Sequence, residues 1–451
     1  MIDASVIDAS VIDGSVIDGS VADGPQVDGP LADGRVMPVR WSLSAHARRL
    51  LTLALAGLVI AIISRRPEFA GAAAPAVLLL AGWPVQRPAA IRVATTVTAQ
   101  QLVEGEQAMV VARVSGQGGY RVQASIVPAA AFSADVPGGA GADPGAGPLR
   151  APFQAEHWGS ARIGRLEIVL RDRFRLAEGR VSVELPRVET HPRPARMEGR
   201  IVLSRLPSRL GEHPSRAPGE GIEFAGVRPF APGDRQRRIN WPATTRTGSL
   251  QLNTFTAERT QNVVILADAT AAVGEPGATS LDLAFRGAAG AMTCYLAGGD
   301  RVGLIVYAGR LSWIGPGLGR RHFHRLMDLL VSSHAGWERT AGLTRLPRAA
   351  LPPGALILVF SPLLQPQLVE ALRDLRERGF SVLVVDVLAA EPEGFRTRSG
   401  GLARRIWRLE QQAIRFSLTE LGIPVVHWDG QSSLDEPLAP YTRRVMLTGR
   451  A

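Results

Sequence analysis

Residues 262–299 read NVVILADATAAVGEPGATSLDLAFRGAAGAMTCYLAGG, and this stretch decides the fold of the C-terminal half. The run that ends at Asp268 is short, apolar and rich in β-branched residues, which is typical of a fully buried strand. The longer apolar run after it predicts a helix that ends at Gly298. A buried strand followed by a helix is the repeating unit of a parallel α/β sheet.

The same alternation continues to residue 440. Four further strands are predicted at DRVGLIVYAG, ALILVFS, FSVLVVDVL and IPVVHWD, with helices at RRHFHRLMDLLVSS, QPQLVEALRDLRERG and residues 402–421. Continuous Val, Ile and Leu strands predict a parallel sheet covered on both faces, so we expect a doubly wound, Rossmann-like α/β domain over 262–440 and a tail over 441–451. Ligands bind beyond the carboxyl ends of such strands, which makes Asp268 the first candidate site residue.

The N-terminus carries a five-residue repeat, with units such as VIDAS, VIDGS and VADGP over residues 1–34. A period of five matches neither a strand nor a helix, and Gly, Ser and Pro interrupt it. We therefore expect a disordered acidic tail over residues 1–40. The alternative is a misassigned start codon, with translation beginning near Met37.

Two apolar runs follow, separated by the sequence RRPE, and residues 41–87 are expected to form a two-helix transmembrane hairpin. More arginines flank the outer ends of the two runs than lie in the turn between them. The positive-inside rule therefore places the large C-terminal part in the cytoplasm. Membrane lipid is then one partner. A buried soluble hairpin and a signal peptide are the alternatives, although RRPE interrupts the apolar run before the small residues that cleavage requires.

Residues 88–200 change character. Segments such as EGEQAMVVARVSG, YRVQASIVP and GRVSVELP alternate apolar and polar residues over short runs bounded by Gly, Pro and Asp. This pattern predicts strands, and several of them in succession predict a small β-sandwich.

Charge and cysteine content narrow the classes of function to consider. The formal net charge is +10, but the excess of arginine is spread along the chain and often stands close to Asp or Glu, so a nucleic-acid partner is not expected. A single cysteine, Cys294, lies within an apolar helical pattern, where a buried inert thiol is expected rather than a nucleophile.

Residues 201–261 connect the two domains and contain the Arg-rich stretch GIEFAGVRPFAPGDRQRRINWPATTRTGSLQLNTFTAER, from Gly221 to Arg259. APGD is typical of a turn, and guanidinium groups can grip carboxylates or carbonyls in a planar fork. We expect Arg228, Asp234 and Arg238 to pair with one another. Trp241 can pack its ring and still donate a hydrogen bond.

This stretch, followed by VVILADAT, resembles the bacterial family catalogued as domain of unknown function 58. The family's characteristic sequence combines Glu-Phe, an Arg two residues before an aromatic, Pro-Gly-Asp, Arg-x-Ile-Asn-Trp and Arg-x-Gly. The matching positions, which we call the hallmark and expect to be structural or partner-binding, are Glu223, Phe224, Arg228, Phe230, Pro232, Gly233, Asp234, Arg238, Ile239, Asn240, Trp241, Arg246 and Gly248.

The segment DATAA after the first strand is similar to the start of a von Willebrand factor A-type domain, in which oxygen ligands from three loops hold Mg²⁺. Asp268 and Thr270 could supply two of them, but Ala272 cannot supply a third. Ser361 and Pro362 stand where the last Asp belongs. The resemblance therefore implies a von Willebrand factor A-like domain with a degenerate metal site, and no cofactor is expected, Mg²⁺ being the one candidate.

The family resemblance also implies a function. Members typically occur beside a MoxR-type AAA ATPase and other membrane proteins of one gene cluster. The chain is thus expected to be a membrane-anchored, non-enzymatic scaffold that works with such an ATPase in assembly or maturation of a protein complex. The sequence shows no P-loop and no dinucleotide-binding glycine pattern after a strand, and the pair His322 and His324 has the wrong spacing for one helix face. A Mg²⁺-dependent ligand-binding A-type domain is the alternative.

Overall fold

The computed structural model describes residues 34–81, 88–116, 120–134, 148–172, 174–201, 203, 206, 223–231, 236, 239–256, 261–333, 346–388, 390–391 and 400–443. Within these ranges the protein is a mixed α/β structure with several sheets. Its elements in chain order are β1 (Arg35–Pro38), β2 (Arg40–Leu43), α1 (Ala45–Ser64), α2 (Glu68–Ala81), β3 (Ala90–Val97), β4 (Gln101–Val103), β5 (Gln107–Ser115), β6 (Tyr120–Pro128), β7 (Phe132–Ser133), β8 (Leu149–Ala155), β9 (Gly159–Arg162), β10 (Gly164–Asp172), β11 (Ala177–Glu184), β12 (Arg187–His191), β13 (Arg200–Ile201), β14 (Glu223–Pro229), α3 (Trp241–Thr247), β15 (Gln251–Thr256), β16 (Asn262–Asp268), α4 (Ser280–Ala297), β17 (Arg301–Tyr307), β18 (Leu311–Gly317), α5 (Arg320–Ser332), β19 (Leu356–Ser361), α6 (Pro366–Glu377), β20 (Ser381–Asp386), α7 (Gly400–Glu420), β21 (Val425–His427), α8 (Asp435–Leu438) and β22 (Thr442–Arg443).

The N-terminal β-domain contains two larger sheets and one three-stranded sheet around one core. Their strand orders are β1-β3-β5-β8-β7, β2-β11-β10-β6 and β4-β12-β9. Strand β10 buries Leu166, Ile168 and Leu170, and β5 buries Val110 and Ala112 against the same cluster. Alternate burial follows from the period of two along a strand, and two sheets closed over one core form a sandwich.

The start of the β-domain differs from the prediction. Strand β1 pairs with β3 and strand β2 pairs with β11, although these residues were expected to lie in the disordered tail or at the start of the helical hairpin. Of the predicted tail, residues 1–33 lie outside the described part of the chain. The helices α1 and α2 are therefore inserted between strands of one β-domain.

Helix α1 has 20 residues and is long and apolar enough to cross a membrane. Ser44 caps it by accepting a hydrogen bond from the amide of Ala47, 3.0 Å away. Helix α2 is shorter, with 14 residues, and contacts α1. A Cβ at Gly57 would lie 2.9 Å from the Cβ of Ala73, so glycine permits the close approach of the two helices.

The C-terminal domain is built on a six-stranded sheet with the order β18-β17-β16-β19-β20-β21. Five strands are parallel, as expected, and β18 is an antiparallel edge strand that the sequence did not predict. Successive residues of β16 contribute to opposite cores, with Val263 and Ile265 in one and Val264 and Leu266 in the other. Both faces of the sheet are thus covered, as its apolar strands predicted.

The β-domain docks on helix α4. The indole nitrogen of Trp158 donates to Asp282 Oδ1 at 2.7 Å, and its ring packs on Phe285 with centroids 4.6 Å apart. A Cβ at Gly290 would lie 2.2 Å from the carbonyl oxygen of Ala195, so only glycine lets the connecting segment pass this closely. The two domains therefore share an interface of matched shape and polarity.

A buried ion pair joins the same two domains. Glu104, in the turn between β4 and β5, accepts from Arg286 Nε at 2.9 Å and from Arg286 Nη2 at 2.5 Å. The Glu104 side chain is 7% exposed, and that of Arg286 is 24% exposed. The hydrogen bonds that Arg286 donates to Glu104 raise the pKa of Arg286, which keeps the guanidinium charged.

The C-terminal end is more ordered than the predicted tail over 441–451. Strand β22 pairs with β13, and Asp435 of α8 accepts hydrogen bonds from the amides of Glu198 and Gly199 at 2.7–3.1 Å. These contacts hold the linker after the β-domain against α8 and β22. Residues 444–451 lie outside the described ranges.

Candidate functional site

The hallmark forms an antiparallel pair of strands and a short helix. Strands β14 and β15 pair with a bulge between Phe224 and Gly226, and helix α3 lies between them in sequence. Gly248 ends α3 with a φ of 67°, a left-handed conformation that favours glycine. The basic side chains bond locally: Arg246 Nε donates to the Pro242 carbonyl at 3.3 Å, and Arg228 Nη1 donates to the Pro229 carbonyl at 3.1 Å.

Part of the hallmark lies outside the described residues. This holds for Pro232, Gly233, Asp234 and Arg238, and for the side chains of Glu223 and Phe224. The pairing of Arg228 with Asp234 and Arg238 therefore stays a prediction. Trp241, which could pack its ring, is 64% exposed in the described part of the chain.

Asn240 holds the hallmark helix to its strand. Its Oδ1 accepts from the Ala243 amide at 3.0 Å, and its Nδ2 donates to Asn253 Oδ1 at 2.7 Å. One side chain thus caps α3 and ties it to β15. The residue type fits, since Asn is among the best helix N-caps.

Asn240→Ala is expected to lower the local stability of α3 by about 1–2 kcal/mol, because the helix loses its cap and the link to β15. Hydrogen exchange of the α3 amides measures this opening. Thr245→Ala is the matched control, since Thr245 lies in the same helix and only bonds back to the Trp241 carbonyl. Equal exchange in the two variants would contradict the assigned role of Asn240.

The structure brings the two predicted metal-site residues together and adds Ser361. Asp268 is fully buried at the carboxyl end of β16. Its Oδ1 accepts from the Thr270 amide at 3.0 Å and the Thr270 hydroxyl at 2.6 Å, and its Oδ2 accepts from the Ser361 hydroxyl at 2.6 Å. Ser361 in turn accepts from the amide of Leu363 at 2.9 Å. The cluster lies between β16 and β19, where the strand order reverses and α/β folds place ligands.

This donor set does not suit Mg²⁺. The ion needs six oxygen ligands in near-octahedral geometry, whereas the cluster offers one carboxylate and two hydroxyls. Both hydroxyls of Thr270 and Ser361 donate into the carboxylate of Asp268, and none of its oxygens faces an opening. Burial raises the pKa of Asp268, against hydrogen bonds from Ser361 and Thr270 that lower it.

A second carboxylate occupies the end of β20, where the sequence reasoning named no site residue. Asp386 is fully buried and accepts from Arg415 Nε at 2.6 Å and Nη2 at 2.5 Å. Beside it, Gln411 is buried and its Oε1 has no hydrogen-bond partner within the described residues, at a cleft of about 420 Å³. The strand-end rule that found Asp268 also points to Asp386, but Arg415 comes 29 residues later on another element.

Two other candidates behave as structural residues. Burial raises the pKa of the Cys294 thiol to about 11, so a nucleophilic thiolate is disfavoured at neutral pH. The ring nitrogen Nε2 of His322 lies 2.7 Å from the Val302 carbonyl of β17, which fixes that ring against the sheet. His322 and His324 therefore do not converge on one ion.

Helix α7 presents an apolar stripe to solvent. At 100° per residue, Leu402, Ile406, Leu409 and Phe416 share one face, and all four are between 50% and 70% exposed. The buried residues Gln411 and Leu418 lie on the opposite face. A helix packed on its domain by one face normally exposes polar residues on the other, so among the described residues this stripe is a candidate contact surface.

Comparisons with known proteins support the family resemblance. Residues 226–393 match the family model described as "Protein of unknown function DUF58", which confirms the identification made from the hallmark. An uncharacterized protein of Mycobacterium bovis and one of Mycobacterium tuberculosis are each 26% identical over 181 residues, or 40% of this chain and 51% of theirs. The chain thus spans about half the length of these curated relatives, and their names state no activity.

Proposed function

We propose that this protein is a membrane-anchored, non-enzymatic interaction protein that works with a MoxR-type AAA ATPase in assembly or maturation of a protein complex. The observation that carries the proposal is the exposed apolar stripe of α7, which is broad enough to receive a groove or helix of another protein. The exposed Trp241 of the hallmark supplies a second large apolar contact, of a residue type enriched at binding hot spots. The net charge of +10 favours an acidic partner surface.

We further propose that α1 and α2 form a transmembrane hairpin, with the remaining domains in the cytoplasm. Supporting this are the length and apolar composition of α1 and the apolar side chains, such as Ile62 and Ile63, that are about three-quarters exposed. The arginines flanking the helical pair support the proposed orientation. The proposed von Willebrand factor A-like relationship of the C-terminal domain is supported by the buried Asp268 at the end of β16.

Capture of the ATPase tests the function. Tagged full-length protein in detergent-solubilised membranes is expected to retain a MoxR-type AAA ATPase, identified by mass spectrometry. Leu409→Asp with Phe416→Asp should reduce this retention at least about tenfold, because two charges enter the centre of an apolar contact. Gln412→Asp is the matched control, since it adds a charge to an exposed position of the same helix outside the stripe.

A photo-crosslinker at position 409 separates the two possible occupants of the stripe. Crosslinking to the ATPase supports the proposal. Crosslinking to lipid would make α7 an interfacial membrane helix and overturn it, as would full retention of the ATPase by the double aspartate variant.

A further inference from the structure

Three potential metal ligands meet at the contact between the two domains. Glu189 and His191 lie on β12 of the β-domain, and Asp328 lies on α5 of the C-terminal domain. Their ligand atoms all lie within 4.8 Å of one another. Strand β12 and helix α5 contact each other directly, so these residues are held by regular structure on both sides.

The imidazole of His191 has an environment that also suits a metal ligand. His191 is 8% exposed, and its Nε2 has no hydrogen-bond partner among the described residues. Buried polar atoms are nearly always bonded, so this ring nitrogen is available to bind a ligand. The nearest carboxylate oxygen, Asp328 Oδ1, is 3.8 Å from Nε2, too far for a hydrogen bond.

That separation fits an ion between the two atoms. Ligands bound at about 2.0–2.2 Å to a tetrahedral ion lie about 3.4 Å apart, so a small adjustment closes the site. A neutral imidazole binds such an ion through a ring nitrogen that makes no other hydrogen bond. His324 stands one helical turn before Asp328 on the same face of α5, which makes it a candidate fourth ligand.

We propose that Glu189, His191 and Asp328 bind a divalent transition-metal ion of the Zn²⁺ class and so clamp the β-domain to helix α5. An imidazole nitrogen with carboxylate oxygens selects such an ion over Mg²⁺ or Ca²⁺, which prefer oxygen alone. The three protein ligands leave one position of a tetrahedral site for water or His324. The role is independent of the partner contact proposed for α7, which lies on other elements.

Zinc titration of the full-length protein in detergent tests this site. The protein is purified without a polyhistidine tag, stripped with a chelator and titrated with ZnCl₂ by isothermal calorimetry, with MgCl₂ in parallel. We expect saturable binding of one Zn²⁺ per chain, and a rise in the thermal unfolding midpoint, since an ion that binds the folded state stabilises it. Mg²⁺ should produce neither effect.

Variants identify the ligands. Glu189→Gln with Asp328→Asn should weaken zinc binding at least about tenfold without unfolding the protein, because both side chains are exposed. His191→Ala should abolish binding, whereas His427→Ala, on β21, should bind as the wild type does. Absence of saturable zinc binding, or equal binding in the Glu189→Gln, Asp328→Asn variant, would show that the orphaned nitrogen of His191 faces water, and the proposal would be wrong.

Discussion

Glu104→Ala is expected to lower the free energy of unfolding by about 3–5 kcal/mol, the usual effect of removing one partner from a buried ion pair. The carboxylate bonds Arg286 through two atoms and also accepts from the amide of Arg193 at 3.3 Å. Without it, the largely buried Arg286 guanidinium keeps only the weaker attraction of Asp282. Thermal or chemical unfolding of the full-length protein in detergent measures the loss.

Two comparisons isolate the cause. Glu184→Ala removes an ion pair with Arg162 whose side chains are 67% and 55% exposed, so its effect should be much smaller. Adding Arg286→Met to Glu104→Ala should recover part of the loss, because no buried charge then remains. If Glu104→Ala and Glu184→Ala destabilise equally, the ion pair does not hold the domains together.

Asp268→Ala is expected to lower the free energy of unfolding by about 3 kcal/mol. The substitution leaves the buried hydroxyl of Ser361 and two part-buried donors of Thr270 without their acceptor, and a buried unsatisfied group carries a penalty of about 1–3 kcal/mol before the site relaxes. Asp268→Asn keeps an acceptor oxygen and a similar shape, so its effect should be smaller. The measurement is equilibrium unfolding of both variants beside the wild type.

The pH dependence gives the same cluster a second test. Burial raises the pKa of Asp268 in the folded protein above its value in the unfolded chain. Protonated Asp268 therefore stabilises the folded state at a pH below the unfolded-state pKa, and this contribution is lost as the pH rises through the folded-state pKa. Asparagine does not titrate. The stability of Asp268→Asn relative to the wild type should therefore improve as the pH rises, and a difference independent of pH would contradict a buried, ionisable carboxylate.

Periodicity predicted most of the C-terminal domain because its strands are buried on both faces and its helices are long. Helix α4 ends at Ala297, with Gly298 as its cap, as the sequence indicated. Strand β18 was missed because LSWIGPG contains two glycines and a proline and does not alternate. Strands β1 and β2 were missed because four residues beside a low-complexity repeat carry no periodic signal.

Some residues of the candidate sites were predictable from the sequence and others were not. Asp268 was predictable because a polar residue at the end of an apolar strand has a defined position in a parallel sheet. Its partner Ser361 was noted in the sequence because it stands at the end of β19, where the metal-binding pattern has an Asp. Its hydrogen bond to Asp268 was not predicted. His191 and Asp328 belong to different domains, so no local pattern relates them. Contacts set by docking of domains leave no trace in sequence spacing.

The insertion of α1 and α2 within the β-domain has a mechanical consequence. The single residue Ser44 joins strand β2 to α1, and its hydroxyl donates to the Arg175 carbonyl at 2.5 Å. Strand β2 pairs with β11, and β1 pairs with β3, which follows the helices in sequence. If α1 and α2 cross a membrane as proposed, the short connection between β2 and α1 would limit how far the β-domain can move relative to that membrane. A force on the β-domain would then be transmitted to α1 through paired strands rather than through a long linker.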